Sequence, residues 1–269
     1  MLSLIIICII AGAFGSILQG IIGIGTGVII VPLLTFLLPD YGISQENASH
    51  IALATSMAAI AINSITALIS HQRHQNIQWP VFNKMVLFSL LGAGLGAFGA
   101  SYVSGFYLEG IYGLFLLVIA ALMLIQRSIH EPIDDMPVIS FPKLATGGLG
   151  VGFIGSVLGS GGGILMVPLL HKFKVKMRYA VGTSTLIGLP ISLMGTMTYS
   201  IMGATKATIP FVVGYIHWPA LLACSLAGLI CAPLGVKLAS KLPNHIVRKI
   251  FAYSMIVVGL KMIHHLSLQ

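Results

Sequence analysis

The sequence predicts an all-α polytopic membrane protein made of two related halves, on three observations. Hydrophobic residues make up 57% of the 269-residue chain and charged residues 7%, with a mean hydropathy of +1.01; about a quarter of a soluble domain is charged. Apolar runs recur along the chain, each reaching the roughly 17 to 25 residues that span a bilayer core as a helix. Finally, a glycine-to-proline stretch occurs twice. Gly23, Gly25, Gly27, Val31, Pro32, Leu33 and Leu34 of the first copy match Gly159, Gly161, Gly163, Val167, Pro168, Leu169 and Leu170 of the second.

The apolar runs are Leu2 to Leu38, Ile51 to Ser70, Val81 to Ser101, Phe106 to Gln126, Leu144 to Leu170, Ala180 to Gly203, Phe211 to Val236 and Ile246 to Ile263. Runs this long exclude a transmembrane barrel, whose strands give alternating segments of about ten residues. No Lys or Arg precedes Leu2 to Ile17, and that stretch belongs to the first repeat, which argues against a cleaved signal. The three cysteines, Cys8, Cys224 and Cys231, all lie in apolar runs and read as core packing, not as a disulfide framework. The formal charge of +8 sits in short loops, where it signals orientation and not nucleic-acid binding.

In the first run, each glycine costs a continuous helix about 1 kcal/mol against alanine, so the helix is expected to break at Gly23 to Gly27. The fifth run is expected to break likewise at Gly159 to Gly163. Further pairs extend the duplication: Ala52, Thr55 and Ser56 with Ala180, Thr183 and Ser184, then Ile77-Gln78-Trp79-Pro80 with Ile216-His217-Trp218-Pro219. The two tryptophans read as interfacial anchors. The division is residues 1–126, an N-terminal membrane repeat; 127–143, a charged, proline-bearing cytoplasmic linker; and 144–269, a C-terminal membrane repeat.

The basic residues test the topology. If every run crosses once, six Lys and Arg face eight, which gives no orientation. If each broken run instead returns to the side it entered, twelve gather on one side and only Lys206 and Lys261 remain opposite. That bias predicts inverted repeats, each with a re-entrant or double-crossing first element plus three transmembrane helices, and both termini outside.

Inverted halves with broken helices suit a secondary transporter, because a break frees backbone N–H groups where the helix dipole favours an anion. The candidate substrate-binding residues are Gly25, Thr26, Gly27, Ser160, Gly161, Gly162 and Gly163 at the breaks. Thr55, Ser56, Thr183 and Ser184 in the following helices would add hydroxyl donors. Each hydroxyl has a plainer use, bonding its own helix or bridging to a neighbour. Gly92, Gly94, Gly96 and Gly99 read as close helix packing. The glycine clusters lack the Gly-Lys-Ser/Thr of a nucleotide loop. The only carboxylate within a run is Glu109, placed at an interface, so a buried cation pathway is not expected. His71 and His74 read as a solvated loop, and no histidine spacing suggests a metal. No catalytic arrangement and no cofactor are expected.

At these motifs the chain resembles the sulfite exporter TauE/SafE family of membrane permeases. The likeness rests on the two glycine-to-proline stretches, on the Thr-Ser pairs at Thr55 and Thr183, and on the duplicated layout. Thr26 departs from the fuller glycine run. The resemblance implies alternating-access transport of sulfite or a short organosulfonate across a bacterial inner membrane, with protons as the coupling ion. An anion channel of the same architecture, or a membrane enzyme or assembly factor, is the alternative. The partners expected are the small anion and membrane lipid, and no nucleic acid; self-association into a homo-oligomer is compatible with the sequence but not specified by it.

Overall fold

The structure is a computed structural model and describes residues 2–23, 25–125, 139–204, 209–239 and 244–267. Most of the linker, Lys206 and Lys241 lie outside the described residues. The glycine-rich runs divide as their cost to a helix requires. The first gives α1 (Leu2–Ile22) and α2 (Gly27–Leu37), which passes into a 3-10 turn, Leu38–Tyr41. The fifth gives α6 (Phe141–Val157) and α7 (Gly163–Lys172). Between them lie α3 (Gln45–Arg73), α4 (Trp79–Tyr102) and α5 (Gly105–Ile125); after them come α8 (Met177–Met202), α9 (Trp218–Ala239) and α10 (Asn244–Ser267). Among the described residues, α1, α3, α4, α5, α8 and α9 are long and apolar enough to cross a membrane. The 29 residues of α3 reach about 43 Å.

One expectation is corrected. The run drawn from Phe211 is not helical until Trp218: residues 212–217 form an antiparallel ribbon of β1 (Val212–Val213) and β2 (Ile216–His217). Gly214, at φ +64, turns that ribbon in a conformation glycine adopts freely.

Each broken run doubles back. In the second half Gly155 of α6 faces Gly162 at the break, and Gly147, two turns earlier, faces Leu169 near the end of α7. In the first half Gly15 of α1 packs on Thr26, and Ser3 hydrogen-bonds the Tyr41 hydroxyl at 2.8 Å beyond α2. The short arms are 11 and 10 residues long, so α7 extends about 15 Å, half the thickness of a bilayer core.

The halves interlock. α1 packs along α9 and α6 along α4, so each first helix rests on the fourth helix of the other half, while α3 packs on α8 and α5 on α10. Small residues make these crossings close. A side chain at Gly92 or Gly96 would strike the carbonyls of Leu149 or Phe153, and one at Gly152 the carbonyl of Ser89. Of the four glycines read as packing residues, Gly92 and Gly96 hold that contact; Gly94 faces the Met194 methyl and Gly99 meets nothing within 4 Å. Cys8 and Cys224 are free, buried thiols on the facing helices α1 and α9, with the Cys224 thiol against the Cys8 carbonyl at 3.3 Å.

Two matching hydrogen bonds set the direction of the central pair. The amide of Gln78, just before α4, donates to the Thr183 hydroxyl early in α8 at 2.9 Å; that of His217, just before α9, donates to the Thr55 hydroxyl in α3 at 3.0 Å. Each central helix is therefore pinned near its start to the connection that follows the other, so α3 and α8 run antiparallel. Trp79 and Trp218 open α4 and α9 with half-exposed rings.

Candidate functional site

The two breaks meet backbone to backbone. A Cβ at Gly25 would lie 2.2 Å from the Ser160 carbonyl oxygen, one at Gly27 2.3 Å from that of Gly159, and one at Gly163 2.4 Å from that of Gly23. No side chain fits there, and this close approach is what the repeated glycines permit. Ser56 ties the junction by donating to the Gly159 carbonyl at 2.8 Å, and Tyr112 of α5 donates to the Gly27 carbonyl at 3.0 Å.

Beside this junction lies a cavity of about 10 Å³, room for about one water molecule. Gly23, Gly25, Ser160, Gly161 and Gly163 of the breaks line it, with Gln19 of α1, Ile60 and Ser64 of α3, and Ser184, Thr185 and Gly188 of α8. Both halves contribute, and no lining side chain is charged. The Gln19 amide donates to Ser64 at 3.0 Å while its own carbonyl oxygen is buried without a partner. Ser184 and Thr185 both donate to the Val181 carbonyl, at 2.8 and 3.0 Å. The amides of Gly25, Thr26, Gly27, Gly161, Gly162 and Gly163 make no hydrogen bond to a described residue; Val28 donates to the Gly25 carbonyl, and Leu165 and Met166 to that of Gly162. Those amides are orphaned helix-start donors.

The structure thus brings Gly25, Ser160, Gly161, Gly163 and Ser184 to the cavity and places the other candidates around it. Thr26 packs on Gly15, its hydroxyl buried and unpartnered. Gly27 holds the interlock, and Gly162 precedes α7 in the left-handed region at φ +75. Thr55 and Thr183 accept the amides of His217 and Gln78, and Ser56 bonds the other half's backbone. Gln19, Ser64 and Thr185 were not singled out in the sequence. The available signal was Gln19 itself, a full amide in the last turn of an apolar run, which has to find a partner.

One other expectation changes, and one is refined. Glu109 is 2% exposed within the protein: its carboxylate accepts from Gln45 at 2.9 Å and contacts the His265 ring at 3.0 Å. His71 is buried in the last turn of α3, whereas His74 is exposed, so the pair is not one solvated loop. Among the described residues no group of three or more His, Cys, Asp or Glu could hold a metal.

The profile of the sulfite exporter TauE/SafE family matches residues 8–262. Over 265 residues the chain is 28% identical to a probable membrane transporter protein of Haemophilus influenzae, covering 97% of this chain and 99% of that protein. It is equally 28% identical over 265 residues to one of Methanocaldococcus jannaschii, covering 97% and 96%. A third such protein, YunE of Bacillus subtilis, is 24% identical over 282 residues. With almost its whole length matched, the chain belongs to the sulfite exporter TauE/SafE family and is a membrane transporter.

Proposed function

We propose that the protein is an inverted-repeat secondary carrier for a small oxyanion, sulfite or a short organosulfonate, bound where the two breaks meet. The observation that carries this reading is the cavity lined from both halves by hydroxyls, one amide and glycine backbone, next to orphaned amides and without a charged side chain. Oxyanion oxygens only accept hydrogen bonds, and uncharged donors at helix starts satisfy them without retaining the ligand by a full opposite charge. The antiparallel packing of α3 and α8 and the matched Thr55 and Thr183 bonds support inversion of the halves.

The cavity has room for about one water, so binding of an oxyanion requires the breaks to part. Rocking one half against the other would open the cavity to each side in turn. Arg73 and Lys172 to Arg178, at the α3 and α7 ends, would lie toward the cytoplasm of a bacterial inner membrane by the positive-inside rule, with both termini outside.

The test is flux into proteoliposomes of sulfite, a short sulfonate and chloride, for the native protein and for Gln19→Leu. Saturable counterflow of a sulfur oxyanion is expected, with the variant purifying normally and its apparent affinity reduced about five-fold or more, the cost of one buried hydrogen bond of about 1 kcal/mol. Fast chloride flux without saturation would establish the channel instead.

A further inference from the structure

We propose that Glu109 and His265 form a proton-binding site whose occupancy controls the first break, supplying the coupling ion of the carrier; the coupling, though not the proton site, rests on the carrier reading above. Glu109 lies one turn into α5 and is 2% exposed. One carboxylate oxygen accepts from the Gln45 amide at 2.9 Å, and the other meets His265 Nδ1 at 3.0 Å. The imidazole is 35% exposed against 1% for the carboxylate side chain, so a proton reaches the acid through the ring. The step balances without another reactant: Nε2 takes a proton from water, Nδ1 passes its own proton to the carboxylate, and the site gains one proton, leaving a neutral acid beside a neutral imidazole.

The pair adjoins α2, the short arm of the first break, through His265 and through the helix that carries Glu109. The His265 ring stands edge-on to Phe36 near the end of α2, with centroids 5.6 Å apart, and Lys261 Nζ lies over the Phe36 ring, 4.6 Å from its centroid. At the opposite end of α2, Tyr112, one turn beyond Glu109 on α5, holds the Gly27 carbonyl. Pro32 lies between them and removes one hydrogen bond from α2. A charge change at Glu109 is therefore placed to be felt at both ends of the short arm that follows the first break.

The surrounding groups do not duplicate the pair. From α3 come the neutral Gln45 and, in the same turn, Glu46, whose backbone is against Gly105. Asp40 and Tyr41 lie in the 3-10 turn, with the Tyr41 hydroxyl committed to Ser3. α10 contributes Lys261 and His264 beside His265, and α2 contributes only the uncharged Phe36. Counting from the contact between Gly113 and Gly259, the α10 position matching Glu109 is Met255, which is buried. One half alone carries the acid.

Infrared difference spectra of the reconstituted full chain on acidification, with sulfite fluxes on the same liposomes, test this. A protonated-carboxyl band is expected that is lost in Glu109→Gln. That variant should keep counterflow, which also shows that it folds, and lose accumulation driven by an inward pH gradient. His265→Asn, the second variant if the first does not purify, should delay the appearance of the band after a pH jump and lose gradient-driven accumulation. A band unchanged in Glu109→Gln, or gradient-driven accumulation at the native level in either variant, would overturn the proposal. Absence of counterflow from the native protein would sink the carrier reading alone, since the band would still decide the proton site.

Discussion

The two breaks carry nearly the same sequence but different backbones. In the second, Gly159, Gly161 and Gly162 all take positive φ, at +57, +65 and +75. In the first, of the described residues only Gly23 does, at +75, and Thr26, at the position of Gly162, sits in the right-handed region at φ −57 and ψ −15. A β-branched residue is strongly disfavoured in the left-handed region, so the substitution of Thr for Gly alters the turn itself. The polar complement differs as well: Gln19, in the last turn of α1, stands where α6 has Gly155. That glycine lets the start of α7 come close, whereas Gln19 reaches Ser64 across the cavity. Glycines recurring at both breaks keep the backbones interlocked, while the chemistry of the two sides differs.

Exchanging the residues that separate the breaks gives the largest effect. Gly162→Thr forces a branched side chain to positive φ with Ile191 and Val151 atoms 3.0 Å from its Cβ, and should cost about 2 kcal/mol or more and much of the folded yield. Thr26→Gly, at an N-cap whose side chain makes no capping bond, should cost only about a few tenths of a kcal/mol. Thermal unfolding in detergent compares them, and equal losses would mean that the two backbones do not differ as described.

The matched threonines probe symmetry at the next scale. Thr55→Val and Thr183→Val each leave one buried amide without its acceptor and should each cost about 1 to 3 kcal/mol. Similar losses of denaturation midpoint are expected, and a large inequality would show that one end of the antiparallel pair carries the stability.

The smallest effect concerns the only titratable member of the matched pair Gln78 and His217. Burial holds the His217 imidazole below the ordinary value of 6.5, and its Nδ1 accepts the Ala220 amide at 3.2 Å, a role only the unprotonated nitrogen can play. The unfolded chain protonates first as pH falls, so this contribution is complete above about 6.5 and is lost progressively below it. His217→Gln, the residue of the first half, should flatten the stability profile below about pH 6.5. An unaltered profile would place the acid sensitivity elsewhere.

The sequence by itself determined the class of fold, the position of both breaks and the small-residue crossing at Gly92 and Gly96. Those follow from local quantities: hydropathy over a span, the cost of glycine in a helix, and helical spacing. It also placed Gly25, Gly161 and Gly163 at the breaks, because costly residues recurring at one place in both halves need a reason to be there. Only the tertiary structure decided that Thr55 and Thr183 pin the connections, that Gln19, Ser64 and Thr185 line the cavity, and that Glu109 is buried against His265. The partners in those contacts lie 45 to 162 positions apart along the chain, apart from the cavity lining itself. Which face of a helix meets which neighbour depends on how the halves interlock, and hydropathy along one helix carries no record of it.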